Sequence, residues 1–138
     1  MALRYLADTS VLSRLHRPAV DAALSPLVTA GLVATCGMVE LELLWSARNA
    51  FEHRALRTWL ADSLKSLFMP DEIWARAIDV QASLSRRGAH RGVSLPDLLI
   101  AATAERHELT LLHYDRDYDA IASVTGQTSR WIAEPGTA

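Results

Sequence analysis

The chain has 138 residues, 50% of them hydrophobic and 22% charged, an ordinary balance for a single globular domain with one substantial core. Its formal net charge of −2 gives no global positive field to draw in nucleic acid, and no apolar run approaches the length of a membrane span. The one cysteine, Cys36, cannot form an internal disulfide and fits a reducing cytoplasm; the N-terminus shows no apolar leader with a small-residue cleavage site.

Tyr5, Leu6 and Ala7 make a short apolar run, as expected of a strand buried on both faces. Asp8 then starts a turn into a helix, where Asp8, Thr9 and Ser10 can accept bonds from orphan backbone N–H groups. Ser10 to Arg17 reads as a short helix stopped by Pro18. Val20, Ala23, Leu24, Leu27 and Val28 lie on one face of an amphipathic helix closed by Gly31. Leu32 to Thr35 is the second strand, broken by Gly37, and a helix follows from Met38 to Ala50. Glu52 to Ser66 is a further helix with Leu56, Trp59, Leu60, Leu64 and Leu67 on one stripe, and Leu67 to Met69 is a brief third strand before Pro70.

Asp71 caps a helix with Trp74, Ala77, Ile78, Gln81 and Leu84 on one side, ending at Arg86, Arg87 and Gly88. Gly88 to Ser94 is a polar loop holding His90 and Arg91. Pro96 and Asp97 open a helix whose residues from Leu98 to Ala104 carry no charge, so it must be packed on most sides. Thr110 to His113 is the fourth strand. Asp115, Arg116 and Asp117 start a turn and a short helix to Ser123, Ser129 to Ile132 is an edge strand, and Glu134 to Ala138 is expected to fray. Strands alternate with helices throughout, which predicts one α/β domain over residues 1–138, with a mostly parallel central sheet flanked by helices.

Four acids share one topological setting. Asp8 follows strand one, Glu42 sits early in the helix after strand two, Asp97 opens the most apolar helix, and Asp115 follows strand four. In open parallel sheets, ligands bind at the carboxyl ends of the strands. Two unit charges about 4 Å apart repel by roughly 4 kcal/mol at an effective dielectric of about 20, so such a cluster either takes up protons or holds a cation. Oxygen-only ligands suit Mg²⁺ or Mn²⁺. Each acid also has a purely structural reading: Asp8 as a helix cap, Glu42 as a solvated helix residue, Asp97 as a charge offsetting the helix dipole, Asp115 as a turn residue. Glu40 and Glu42 point to nearly opposite faces, so at most one serves the site; Glu42 shares its face with Ser46.

Taken together, Leu6-Ala7-Asp8-Thr9-Ser10-Val11-Leu12, Glu42-Leu43-Leu44-Trp45-Ser46-Ala47, Pro96 to Ala104 and Leu111 to Tyr118 resemble the four motifs of PIN-domain ribonucleases, and among them the small VapC-like toxins of type II toxin–antitoxin pairs. The resemblance implies a PIN-like domain with Asp8, Glu42, Asp97 and Asp115 as catalytic metal ligands, Asp117 as an accessory ligand, and Glu42 selected over Glu40. It implies an endoribonuclease dependent on Mg²⁺ or Mn²⁺, in which an activated water attacks the phosphodiester in line and leaves a 5′-phosphate and a 3′-hydroxyl. It also implies a structured RNA substrate such as a tRNA, a cognate antitoxin, a homodimer and a cytoplasmic location. His113 departs from the family's Thr or Ser; it is either a donor to substrate or a buried, hydrogen-bonded residue. Thr9, Ser10, Arg86, Arg87, His90 and Arg91 are further candidates for substrate contact, with Arg14, Arg17 and Arg48 as additional rim cations. The apolar faces from Val20 to Val28 and from Leu56 to Leu67 are candidate surfaces for antitoxin or dimer, with ordinary core packing as the alternative that uses most of these residues. A PIN fold that binds RNA or protein without cutting is the alternative; retention of all four acids speaks against it.

Overall fold

The computed structural model describes residues 2–138. Five strands, β1 (Tyr5–Ala7), β2 (Val33–Cys36), β3 (Lys65–Leu67), β4 (Thr110–His113) and β5 (Ser129–Trp131), form one sheet in the order β3-β2-β1-β4-β5. Every neighbouring pair is parallel. All four residues of β2 are buried, as are Leu6 and Ala7 of β1. Successive side chains point to opposite faces of a sheet, so both faces are covered. That is why these strands read as unbroken apolar runs. The edge strands differ: β3 exposes Lys65 and Ser66, and β5 exposes Arg130, polar groups that discourage further pairing.

The helices among the described residues are α1 (Thr9–Leu12), α2 (Pro18–Thr29), α3 (Gly37–Trp45), α4 (Ala50–Ser63), α5 (Glu72–Ser85), α6 (Leu95–Arg106) and α7 (Asp117–Thr125), with one 3-10 turn at His90–Gly92. α5, α6 and α7 pack on one another, while α3 contacts α1 and α4. α6 buries Asp97, Leu98 and the run Ile100–Ala104, which explains its lack of a polar face. The one polar side chain inside that run, Thr103, gives its hydroxyl proton to the Leu99 carbonyl at 2.8 Å. No helix among the described residues is long and apolar enough to cross a membrane.

The α/β architecture and the parallel sheet agree with the sequence reading; several boundaries do not. The helix expected over Met38–Ala50 ends at Trp45. Asn49 starts a new helix by accepting the Glu52 N–H at 2.9 Å, and Glu52 reaches back to the Arg48 N–H at 2.8 Å, a reciprocal cap that outcompetes continuation. The third strand lies at Lys65–Leu67 rather than Leu67–Met69, because pairing with Ala34–Cys36 sets its register. The first helix is Thr9–Leu12, shorter than Ser10–Arg17. The tail does not fray: the Ala138 N–H donates to the Tyr114 hydroxyl at 2.9 Å, and Thr137 bonds back to Glu134.

Of the two readings of the α2 and α4 faces, core packing holds. Val20, Leu24, Leu60 and Leu64 are buried in the domain's own core, and Leu27, Leu56 and Trp59 pack against it. The large apolar side chains left in solvent are elsewhere: Leu41, Trp45 and Phe51 on α3 and α4, Phe68 just after β3, and Trp74, Ile78 and Leu95 on α5 and α6.

Candidate active site

β1 lies at the centre of the sheet, and its carboxyl end delivers Asp8. The Asp8 N–H donates to the Leu112 carbonyl of β4 at 2.9 Å, and its side-chain Oδ2 accepts the Ser10 N–H at 2.9 Å. Asp8 is therefore the N-cap of α1, as its structural reading required, yet it is only 3% exposed and faces other acids. The two roles coincide, since a cap uses one oxygen and leaves lone pairs free. Thr9, next in the chain, donates its hydroxyl to Glu42 Oε1 at 2.9 Å, tying α1 to α3. Glu40 turns the other way and accepts the Ser66 hydroxyl of edge strand β3 at 2.7 Å.

Asp97 sits in the first turn of α6. Ser94 is the N-cap there, accepting the Asp97 N–H at 3.3 Å, and this pins the carboxylate, 7% exposed, at the helix start. Asp115 and Asp117 follow β4. The Asp117 N–H donates to Asp115 Oδ1 at 2.9 Å, and Asp117 Oδ2 accepts the Ser94 N–H at 3.0 Å. The starts of α6 and α7 are thereby joined. Tyr118 completes the set, its hydroxyl lying 2.5 Å from Asp8 Oδ1 and 3.0 Å from Asp97 Oδ1.

Two overlapping groups of ligand atoms result, Asp8 with Glu42 and Asp97, and Asp97 with Asp115 and Asp117, each within 4.8 Å of one another. No Lys or Arg among the described residues pairs with any of these five acids; the ion pairs found are Arg48–Glu52 and Arg76–Glu105. The charge is correspondingly uncompensated. Burial, then Asp117 and Asp8, pushes Asp97 up to about 8. Burial also raises Glu42 and Asp115, with neighbouring acids adding to the shift, although the Thr9 hydroxyl opposes it at Glu42. Burial beside Asp8 and Asp97 holds the Tyr118 phenol well above its ordinary value. A donor set of carboxylate oxygens alone, partly buried and lacking a cationic side chain, fits a hard divalent ion such as Mg²⁺ or Mn²⁺.

The other candidates separate. His113 is fully buried, so direct donation to a substrate is corrected: its Nδ1 accepts the Asp115 N–H at 3.2 Å, and its ring packs against Tyr118 and Trp131. Burial lowers its basicity. Ser10 spends its hydroxyl oxygen on the Tyr114 N–H at 2.8 Å, joining α1 to the turn after β4. Arg86 bonds Ser83, and Arg87 bonds Ser123 near the C-terminal end of α7, whereas Asp117 starts that helix. His90 and Arg91 lie on the 3-10 turn, and neither bonds an acid of the cluster. Arg48 is engaged by Glu52, and Arg17 remains exposed. Arg14 is fixed beside the Asp8 turn, bonding the Ser10 carbonyl at 2.8 Å with its guanidinium 4.7 Å above the Tyr114 ring. Ser94 and Tyr118 were not singled out by sequence reasoning. Ser94 was findable as the start of a Ser-x-x-Asp cap, and Tyr118 as the residue one turn beyond Asp115.

The PIN domain family model matches residues 5–124, a span that includes every acid of the cluster. The chain is 46% identical to Ribonuclease VapC21 of Mycobacterium tuberculosis over 138 residues, covering all of both chains. It is 48% identical to Ribonuclease VapC51 of the same organism over 139 residues, covering 99% of this chain and 98% of that one. Among solved structures, VapBC2 from Rickettsia felis bound to a DNA fragment from their promoter superposes with a TM-score of 0.76 at 15% identity, over 95% of this chain and 98% of that one. VapBC-1 from nontypeable Haemophilus influenzae gives 0.75 at 17% identity, over 96% and 98%. At those identities the structures speak to the fold, and the sequence relatives to the lineage. The chain belongs to the PIN-domain family and, within it, to the VapC group.

Proposed function

We propose that this protein is a metal-dependent endoribonuclease toxin, held in check by a cognate antitoxin and acting on structured RNA in the cytoplasm. The observation that carries the reading is the convergence of Asp8, Glu42, Asp97, Asp115 and Asp117 on one sheet edge with no cationic side chain to neutralise them. The naming of its full-length relatives as ribonucleases supports it.

Asp8, Glu42 and Asp97 would hold one divalent ion, and Asp97, Asp115 and Asp117 a second. When bound, such ions would lower the pKa of a water and stabilise negative charge on the phosphoryl and leaving oxygens during in-line displacement. The chain's own residues orient and exclude. Ser10 N–H and Tyr118 fix Asp8, Thr9 fixes Glu42, and the Ser94 backbone and hydroxyl fix Asp117 and Asp97. None of these roles needs a protein nucleophile. Cys36, the last residue of β2 and N-cap of α3, is buried with its thiol pKa raised by burial, which suits packing rather than attack. Arg14, beside the Asp8 turn, is the cation best placed to meet a phosphate. The exposed apolar side chains Leu41 and Trp45 on α3, and Trp74, Ile78 and Leu95 on α5 and α6, are the surfaces offered to the antitoxin and to a second copy.

The test is incubation of antitoxin-free protein with total RNA and Mn²⁺ or Mg²⁺, followed by sequencing of new 5′-phosphate ends. Discrete cuts that disappear with EDTA and with Asp8→Asn are expected. Cuts that persist in Asp8→Asn, or a protein that binds no divalent ion, would overturn the reading.

A further inference from the structure

Tyr118 is unusual in its surroundings. Its side chain is 1% exposed, packed beside the His113 ring at a centroid separation of 5.1 Å, yet its hydroxyl is surrounded by acids rather than by neutral acceptors. It lies 2.5 Å from Asp8 Oδ1 and 3.0 Å from Asp97 Oδ1. Asp8 comes from the end of β1, Asp97 from the start of α6 and Tyr118 itself from the first turn of α7, so one hydroxyl ties together three elements. Core packing alone does not account for it. A phenylalanine would fill the same space without placing a polar atom between two carboxylates, and a buried hydroxyl is retained against its desolvation cost only where it is bonded.

We propose that Tyr118 is a positioning residue: its hydroxyl, bridging Asp8 and Asp97, fixes the mutual orientation of these two carboxylates for the divalent ion they share. The proposal rests on the cation-binding reading of the cluster. Asp8 then has both oxygens directed, Oδ2 by the Ser10 N–H and Oδ1 by the phenol. Each carboxylate oxygen carries two lone pairs, so each keeps one free for an ion. Asp97 keeps Oδ2 clear of the phenol altogether. Asp97 belongs to both groups of ligand atoms, so a single hydroxyl governs the residue common to them. Hydrogen-bond partners of metal ligands set ligand orientation, and their loss typically weakens metal binding by about 10–100-fold.

Tyr118→Phe removes the hydroxyl and keeps the ring. Isothermal titration of the full chain with Mn²⁺, beside wild type and Asp8→Asn, is expected to show the dissociation constant of Tyr118→Phe raised by about 10-fold or more. Its circular dichroism and cooperative melting should be retained. Ribonuclease activity lost at low Mn²⁺ should return at saturating Mn²⁺, a rescue that a loss of packing would not give. An unchanged Mn²⁺ dissociation constant in a folded Tyr118→Phe protein would overturn the assignment while leaving the cation site standing. Failure of wild type itself to bind Mn²⁺ would overturn both. If Tyr118→Phe does not fold, wild type labelled at tyrosine ¹³Cζ answers instead. The Tyr118 signal, one of three in the chain, should move on Mg²⁺ addition with the midpoint of ion binding, and a signal indifferent to Mg²⁺ would sink the proposal.

Discussion

Glu40 and Glu42 stand two residues apart on α3, and their neighbours set their chemistry apart. Glu42 accepts from Thr9 and faces the cluster; Glu40 accepts from Ser66 at the sheet edge. Glu42→Gln is expected to slow RNA cleavage at a fixed low Mn²⁺ concentration by ~10²-fold or more, beyond the ~10–100-fold usual for an outer partner of a ligand. Glu40→Gln is expected to keep the wild-type rate. Initial rates on one mapped RNA substrate decide it, and equal losses in the two variants would remove Glu42 from the site. His113 teaches the complementary lesson. As a departure from the family's Thr or Ser, His113 was open to a donor role toward substrate or to a buried, hydrogen-bonded one; burial decides for the second and leaves a ring that packs beside Tyr118 and receives the Asp115 N–H. Its Nε2 finds no partner, so the site's rigidity carries an unsatisfied nitrogen.

At the level of elements, α6 couples core and chemistry most directly. Ile100 is fully buried one turn beyond Asp97. Ile100→Ala should cost about 2–5 kcal/mol by lost transfer energy and cavity formation. Urea denaturation measures it, and a cost near zero would mean that α6 is not packed as described. Helix α6 and strands β1, β2 and β4 were legible in the sequence because burial on all sides leaves a continuous apolar signature that needs no partner information. Asp8, Asp97 and Asp115 stood out as candidates because each adjoins such an element, whereas Glu42, inside α3, was singled out over Glu40 only by the family resemblance. What escaped was governed by side chains acting on distant backbone. Asn49 and Glu52 split one apparent helix into two. β3, short and polar, takes its position from Ala34–Cys36 rather than from its own residues. The tail is held by the Tyr114 hydroxyl, twenty-four positions upstream of Ala138. The amphipathic stripes of α2 and α4 revealed which faces are apolar, and the core packing expected of most of their residues is what the structure shows.

For the molecule as a whole, the cluster ties stability to pH. The Asp97 carboxyl moves from 3.8 in the unfolded chain to about 8 when folded, chiefly through burial, and Glu42 and Asp115 shift the same way. The folded state therefore binds more protons than the unfolded state between those values, and stability declines as pH rises through that window. With EDTA present, the melting temperature should fall from about pH 4 toward about pH 8; Mn²⁺ should raise it most at the alkaline end, where ligands need not surrender a proton. Melting curves that stay level or rise with pH in EDTA would contradict the uncompensated cluster. The strand order carries a temporal consequence as well. β1 is the first strand to leave the ribosome but the central one in the sheet, and the bond from Tyr118 to Asp8 closes a separation of 110 residues. A nascent chain can therefore display Asp8 and Glu42 long before Asp115, Asp117 and Tyr118 exist to join them. The acid cluster is therefore assembled only once Asp115, Asp117 and Tyr118, all in the last quarter of the chain, have been made.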